Sequence, residues 1–145
     1  MLKAHSRWRY GKVTLFAGDL KDTNWNLMDS PNQLLLGANF GQSVSASGDV
    51  NGDGIADLVI GNTGNLQQNT GYSSVEVRFG GTSGYSSDPD VSFQSSISGT
   101  LFGYDVEIIN DLNGDGYDEI IISEPYNLSG SVNSGNLWIF LGNSS

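Results

Sequence analysis

The chain is 145 residues long and 37% hydrophobic, enough for a single modest core. Sixteen acids against six bases leave a formal charge of −10, which repels phosphate backbones and anionic lipid. With no cysteine, disulfides, thiolate metal sites and a cysteine nucleophile are excluded, while the excess of carboxylates suits hard cations.

The first predicted element is a strand within 11–18, carried by Val13-Thr14-Leu15-Phe16-Ala17-Gly18. Looser sequence over 23–36 has room for one more. Ser43–Ala46 reads as a strand leading into an aspartate-rich loop, and Leu58-Val59-Ile60 is a short apolar run of the kind buried strands show. Val75–Phe79 alternates apolar and polar residues, the mark of a strand with one wetter face. After a second loose stretch at 85–98 come a strand at Tyr104–Ile108, another aspartate loop, the run Ile120-Ile121-Ile122 and a closing strand at Leu137–Leu141. No window of about 11 residues has a helical period, and 20 glycines against three prolines point to many tight turns. The longest uniform apolar runs are triplets, against the roughly 20 residues a membrane helix needs. Met1–Arg7 has no apolar stretch behind its charges, so no signal peptide is expected in the sequence as it stands.

The second half repeats the first. Phe40-Gly41 returns 62 residues later as Phe102-Gly103, Asp49–Gly54 as Asp111–Gly116, Val75–Gly80 as Leu137–Gly142, and Gly37 as Gly99, without a gap. Val13–Gly18 precedes Val75–Gly80 by the same interval. A unit of this size with about four antiparallel strands is one propeller blade. The expected fold is therefore all-β, about two β-propeller blades plus a leading strand. Residues 1–39 are expected to hold the end of a preceding blade and a connecting segment, 40–101 the first full repeat, and 102–145 a second repeat lacking its connecting segment.

The loops carry the chemistry. Asp49, Asn51, Asp53 and Asp57 stand at loop positions one, three, five and nine, with Gly54 at the bend and the Ile55 carbonyl at position seven. Calcium takes about six to eight oxygens, and a curled loop with alternate residues turned inward supplies them. The second loop offers Asp111, Asn113, Asp115, the Tyr117 carbonyl and Glu119, its ninth side chain one methylene longer, with Asp118 beside it as a competing acid. Asp/Asn/Gly turns also form without metal, but two copies in register favour two calcium ions per chain. An EF-hand needs a bidentate Glu at position twelve, where this chain has Ile60 and Ile122.

Phe40-Gly41, Asp49–Gly61 and Ser74–Gly80, with their second copies, resemble the FG-GAP repeats of integrin-alpha-type β-propellers. The family's Gly-Ala-Pro element stands here as Gly61-Asn62-Thr63 and Ser123-Glu124-Pro125. The resemblance implies calcium held between two strands of each blade, ligands bound by other loops of the propeller, and an extracellular or cell-surface setting. The expected function is a noncatalytic, calcium-binding propeller segment for adhesion or protein–protein interaction, with a structural metal. The alternatives are a carbohydrate-binding propeller module, an accessory domain of a larger secreted enzyme, or an excised or designed fragment that assembles as a homo-oligomer. Expected partners are copies of the same chain or the rest of a larger propeller, with a protein or glycan ligand and no nucleic acid. Two blades leave faces open, so a homo-oligomer closed by strand exchange is expected, the N-terminal stretch of one chain completing the last blade of the next.

No enzymatic constellation accompanies these loops. His5 is the only histidine, and no Gly-x-Ser-x-Gly elbow is present. Asp88 and Asp90 flank Pro89 and read as turn residues, and Trp138 lies in a strand pattern as a packing residue, whereas Trp8 and Trp25 stay open as carbohydrate contacts. Asn127-Leu128-Ser129 and Asn143-Ser144-Ser145 fit the glycosylation pattern, which matters only in a eukaryotic secretory setting.

Overall fold

The computed structural model describes residues 10–15, 33–38, 40–64, 71–127 and 134–144. His5, Trp8 and Trp25 lie outside the described residues. Among those described there is no helix, and every strand pairing is antiparallel.

β1 (Tyr10–Leu15) pairs with β2 (Gln33–Ala38). A four-stranded sheet then meanders through β3 (Phe40–Ser45), β4 (Leu58–Asn62), β5 (Ser74–Arg78) and β6 (Val91–Gln94), in that spatial order. A three-stranded sheet follows the same path through β7 (Val106–Ile109), β8 (Glu119–Asn127) and β9 (Ser134–Phe140). These are blade-like sheets, and they do not close a ring among the described residues.

The loose stretches each yield a strand, β6 within 85–98 and β2 overlapping 23–36. β3 begins earlier than the sequence pattern suggests, at Phe40 rather than Ser43, because a register shift between those residues absorbs Gly41 at φ +78°. β8 runs past Ile122 through Pro125, and its ladder to β9 shifts register between Glu124 and Asn127, where proline has no N–H to give.

The core sits between the two larger sheets. Val59, Val75 and Val77 of the first sheet meet Phe102, Val106, Ile108, Ile120 and Ile122 of the second repeat in one buried cluster. Alternation along the strands sends Leu58 and Ile60 to the other face, where they pack with Phe40 and Tyr85. Full burial of an aliphatic side chain is worth about 1.5–3 kcal/mol, so this inter-repeat cluster is the main cohesive term.

Backbones also touch across the seam. A Cβ on Gly61 would lie 2.2 Å from the Gly103 carbonyl oxygen and 2.4 Å from Ser43 Oγ, so only glycine admits this approach. Ser43 Oγ donates to that carbonyl at 2.9 Å, and Ile108 N–H donates to Ser45 Oγ at 3.0 Å. At the position of Gly61 the second repeat has Ser123, whose hydroxyl accepts from Asp105 N–H at 2.8 Å. The departure from the Gly-Ala-Pro element is thus absorbed by a local bond.

Candidate functional site

Each aspartate loop joins the first two strands of its sheet, β3 to β4 and β7 to β8. The position-six glycines take left-handed conformations, Gly54 at φ +85° and Gly116 at +95°, which curls the loop.

The first carboxylate organises each loop. Asp49 Oδ1 accepts from Gly52 and Asp53 N–H at 2.7 and 3.1 Å, and its Oδ2 accepts from Gly54 N–H at 2.7 Å. Asp111 accepts from Gly114, Asp115 and Gly116 N–H at 2.7, 2.9 and 3.0 Å. Asn51 and Asn113 each accept from the following aspartate's N–H and donate their amide to its carboxylate. Asp53 and Asp115 accept in turn from Ile55 and Tyr117 N–H. Two loops 62 residues apart therefore repeat one network bond for bond.

The ninth position is where they part. Asp57 is fully buried, its Oδ2 accepting from Val50 N–H and its Oδ1 from Gly80 N–H, both at 2.8 Å. Burial pushes its carboxyl above the ordinary value; the Gly80 and Val50 N–H groups pull it down, and repulsion from Asp49 adds to the rise. Glu119 is also fully buried, and its Oε2 accepts from Leu112 N–H, but its Oε1 is buried with no hydrogen-bond partner among the described residues. Glu119 thus has one N–H donor among the described residues where Asp57 has two.

As the side chains stand, no three acids form a metal-holding group among the described residues; the carboxylates are turned to the N–H groups of their own loops. The donor set nonetheless fits a hard cation: three carboxylates, an amide oxygen and a backbone carbonyl per loop, with one orphaned buried oxygen at Glu119 among the described residues.

Asp118, which the sequence offers as a competing ligand, has another task. Its Oδ2 accepts from Asp49 N–H at 2.8 Å and its Oδ1 from Asp111 N–H at 3.1 Å, so one carboxylate holds the first residue of both loops. The repeat register carries the clue to this role, since the first copy has Ala56 at the same position. Asp88 and Asp90 are turn residues: Asp90 Oδ2 accepts from Phe79 N–H, and Asp88 N–H donates to Ser86 Oγ. Trp138 meets Phe102 edge-on, donates its Nε1–H to Glu124 Oε2, and is 44% exposed.

Blade-like sheets opened by Phe-Gly and turned by Asp-x-Asn-x-Asp-Gly loops define a β-propeller-type repeat protein. The family model for the FG-GAP repeat matches residues 40–75 and 102–140, over half of the sequence, and the chain belongs to that family. The family is one of non-enzymatic β-propeller repeats and is typically extracellular. No curated protein matches the chain. No helix of the described residues is long and apolar enough to cross a membrane, which says nothing of β-barrels.

Proposed function

We propose that this chain is a noncatalytic, calcium-stabilised propeller segment serving adhesion or protein–protein interaction in an extracellular setting. What carries the reading is the duplicated loop network together with the unpartnered Glu119 Oε1. A buried carboxylate oxygen without a donor is costly, and a cation relieves that cost directly. Asp49, Asn51, Asp53, Asp57 and the Ile55 carbonyl would hold one ion, and Asp111, Asn113, Asp115, Glu119 and the Tyr117 carbonyl a second.

A bound ion supplies charge neutralisation, and the unfolded chain has no such cage, so binding free energy becomes folding free energy. The acids are committed to loop N–H groups and the sequence has one histidine, at position 5, which favours a structural role over catalysis. Leu137 and Ile139 support a partner beyond the second sheet: their counterparts Val75 and Val77 are buried by the next repeat, whereas they stand 65% and 48% exposed. A further blade, from another copy or from the rest of a larger propeller, would cover them.

Isothermal titration of the chelator-treated chain tests the metal reading. Two calcium ions per chain are expected; absence of both calcium-dependent heat and calcium-dependent stability would refute it.

A further inference from the structure

Between β6 and the β8–β9 pair lies a cavity of about 550 Å³ whose only charged lining residue among those described is Glu124. Glu124 is 5% exposed, and its Oε2 accepts from Asn136 Nδ2 at 3.1 Å and from Trp138 Nε1 at 2.9 Å. Its Oε1 has no partner among the described residues. Phe93, Phe140 and Phe102 complete the wall with Trp138; the first two rings lie 4.1 Å apart by centroid, and Phe102 meets Trp138 edge-on.

Comparison between repeats shows what this cavity lacks. The first repeat has Asn62, Glu76 and Arg78 where the second has Glu124, Trp138 and Phe140. There Arg78 is buried and answers the carboxylate from within the repeat, with Nη2 on Glu76 Oε2 at 2.5 Å and Nη1 on the Ser86 carbonyl at 2.7 Å, while its Nε has no partner among the described residues. In the second repeat the carboxylate is kept, moved to β8 and braced by two donors, but the cation is gone and aromatic rings replace it. Among the described residues, no lysine, arginine or histidine lines the cavity.

We infer that this cavity binds the ammonium group of a lysine side chain presented by a protein partner. A buried carboxylate flanked by aromatic faces is complementary to a cation, through a charge-assisted hydrogen bond and cation–π attraction. Lysine fits better than arginine because Oε2 already accepts two bonds. Only Oε1 remains, which suits a point charge rather than a planar fork that gains from pairing with both oxygens. The inference rests on the reading of the chain as a protein-binding module and names the partner's chemistry.

The test uses the whole calcium-treated chain and three probes, the Nα-acetyl amides of lysine, arginine and norleucine, followed at the Trp138 indole N–H signal by ¹⁵N NMR. The lysine probe is expected to shift that signal saturably, with norleucine and arginine each weaker by about tenfold or more. Glu124→Gln should lose lysine binding by a similar factor while keeping the dispersed spectrum and the calcium titration of the parent. No shift with lysine, an equal shift with norleucine, arginine binding as tightly, or unchanged binding in Glu124→Gln would each overturn the inference. The norleucine comparison needs no variant, so it decides even if Glu124→Gln fails to fold. Failure here with intact calcium binding leaves the metal reading standing; loss of calcium binding with intact lysine binding does the reverse.

Discussion

Asp118 and Asp49, 69 residues apart, hold each other twice: Asp49 N–H donates to Asp118 Oδ2 at 2.8 Å, and Asp118 N–H donates to the Asp49 carbonyl at 3.1 Å. The remaining carboxylate oxygen of Asp118 takes Asp111 N–H. One half-buried side chain therefore fixes where both loops begin, and Asn143 N–H reinforces the seam by donating to the Val50 carbonyl. The loops are mechanically one unit although they belong to separate repeats.

Asp118→Ala should accordingly destabilise the chain even without metal. Two bonds to a charged acceptor are lost, and each such bond is worth about 1.5–3 kcal/mol before solvent exposure reduces it. Urea unfolding in chelator should show a cost of about 1–3 kcal/mol, and Asp118→Asn a smaller one. On the proposed ligand set, which leaves Asp118 to brace the loops, the variant should still bind two calcium ions. Loss of one site in Asp118→Ala, with Glu119→Ala keeping both, would reverse the assignment.

Calcium removal should lower the melting temperature, and Asp53→Ala and Asp115→Ala should each delete one site. In chelator the two variants should melt close to the parent, since each side chain's main gain comes from the ion. Calorimetry with and without calcium separates this from a purely structural loss, which would persist in chelator at full size.

Asp57 gives the pH dependence a sign. Burial raises its folded carboxyl above the ordinary 3.8 of the unfolded chain, with Asp49 adding repulsion. Its contribution to metal-free stability is thus full below 3.8 and lost as pH climbs through the raised folded value. Calcium competes with that proton, so its affinity should fall as pH drops through the same window. The gain in melting temperature on adding calcium should therefore grow as pH rises above 3.8. A gain that stays flat with pH would contradict this coupling.

Much of the fold was legible because the repeat register and the strand period agree: Val75–Phe79 alternates in sequence and its Val75 and Val77 point into the core. The loops were legible as a ligand pattern because Asp49, Asn51 and Asp53 recur as Asp111, Asn113 and Asp115. Three features were not. Asp118 bridges two loops through backbone N–H groups, and hydrogen bonds to main chain leave no residue-type signature at their far end. Glu119 Oε1 has no donor among the described residues, which the spacing of residue types does not encode. Trp138 reads as an ordinary packing residue, since its partner Glu124 lies across the β8–β9 ladder.

The open face of the second sheet leads to the last expectation. Val75 and Val77 are 0% and 1% exposed because the second repeat covers them, and their counterparts Leu137 and Ile139 continue the same apolar row into solvent, with Leu141 64% exposed beyond them. The uncovered row of Leu137 and Ile139 on β9, continued by Leu141 just past its end, is an association surface rather than scattered surface apolars. β9 is also an edge of its sheet in the described residues, where β5 at the matching place is paired with β6. β1 stands at the repeat position of β5 and β9, and its partner β2 at that of β6, so strand exchange between copies would fill the unpaired place beside β9 from the N-terminal pair. Light scattering at micromolar concentration in calcium should then show self-association that rises with concentration. Leu137→Lys with Ile139→Lys should abolish it, by placing like charges on the contacting row, without loss of calcium binding. A monodisperse monomer in calcium would show that this face is stable uncovered; association that survives the double substitution would place the contact elsewhere.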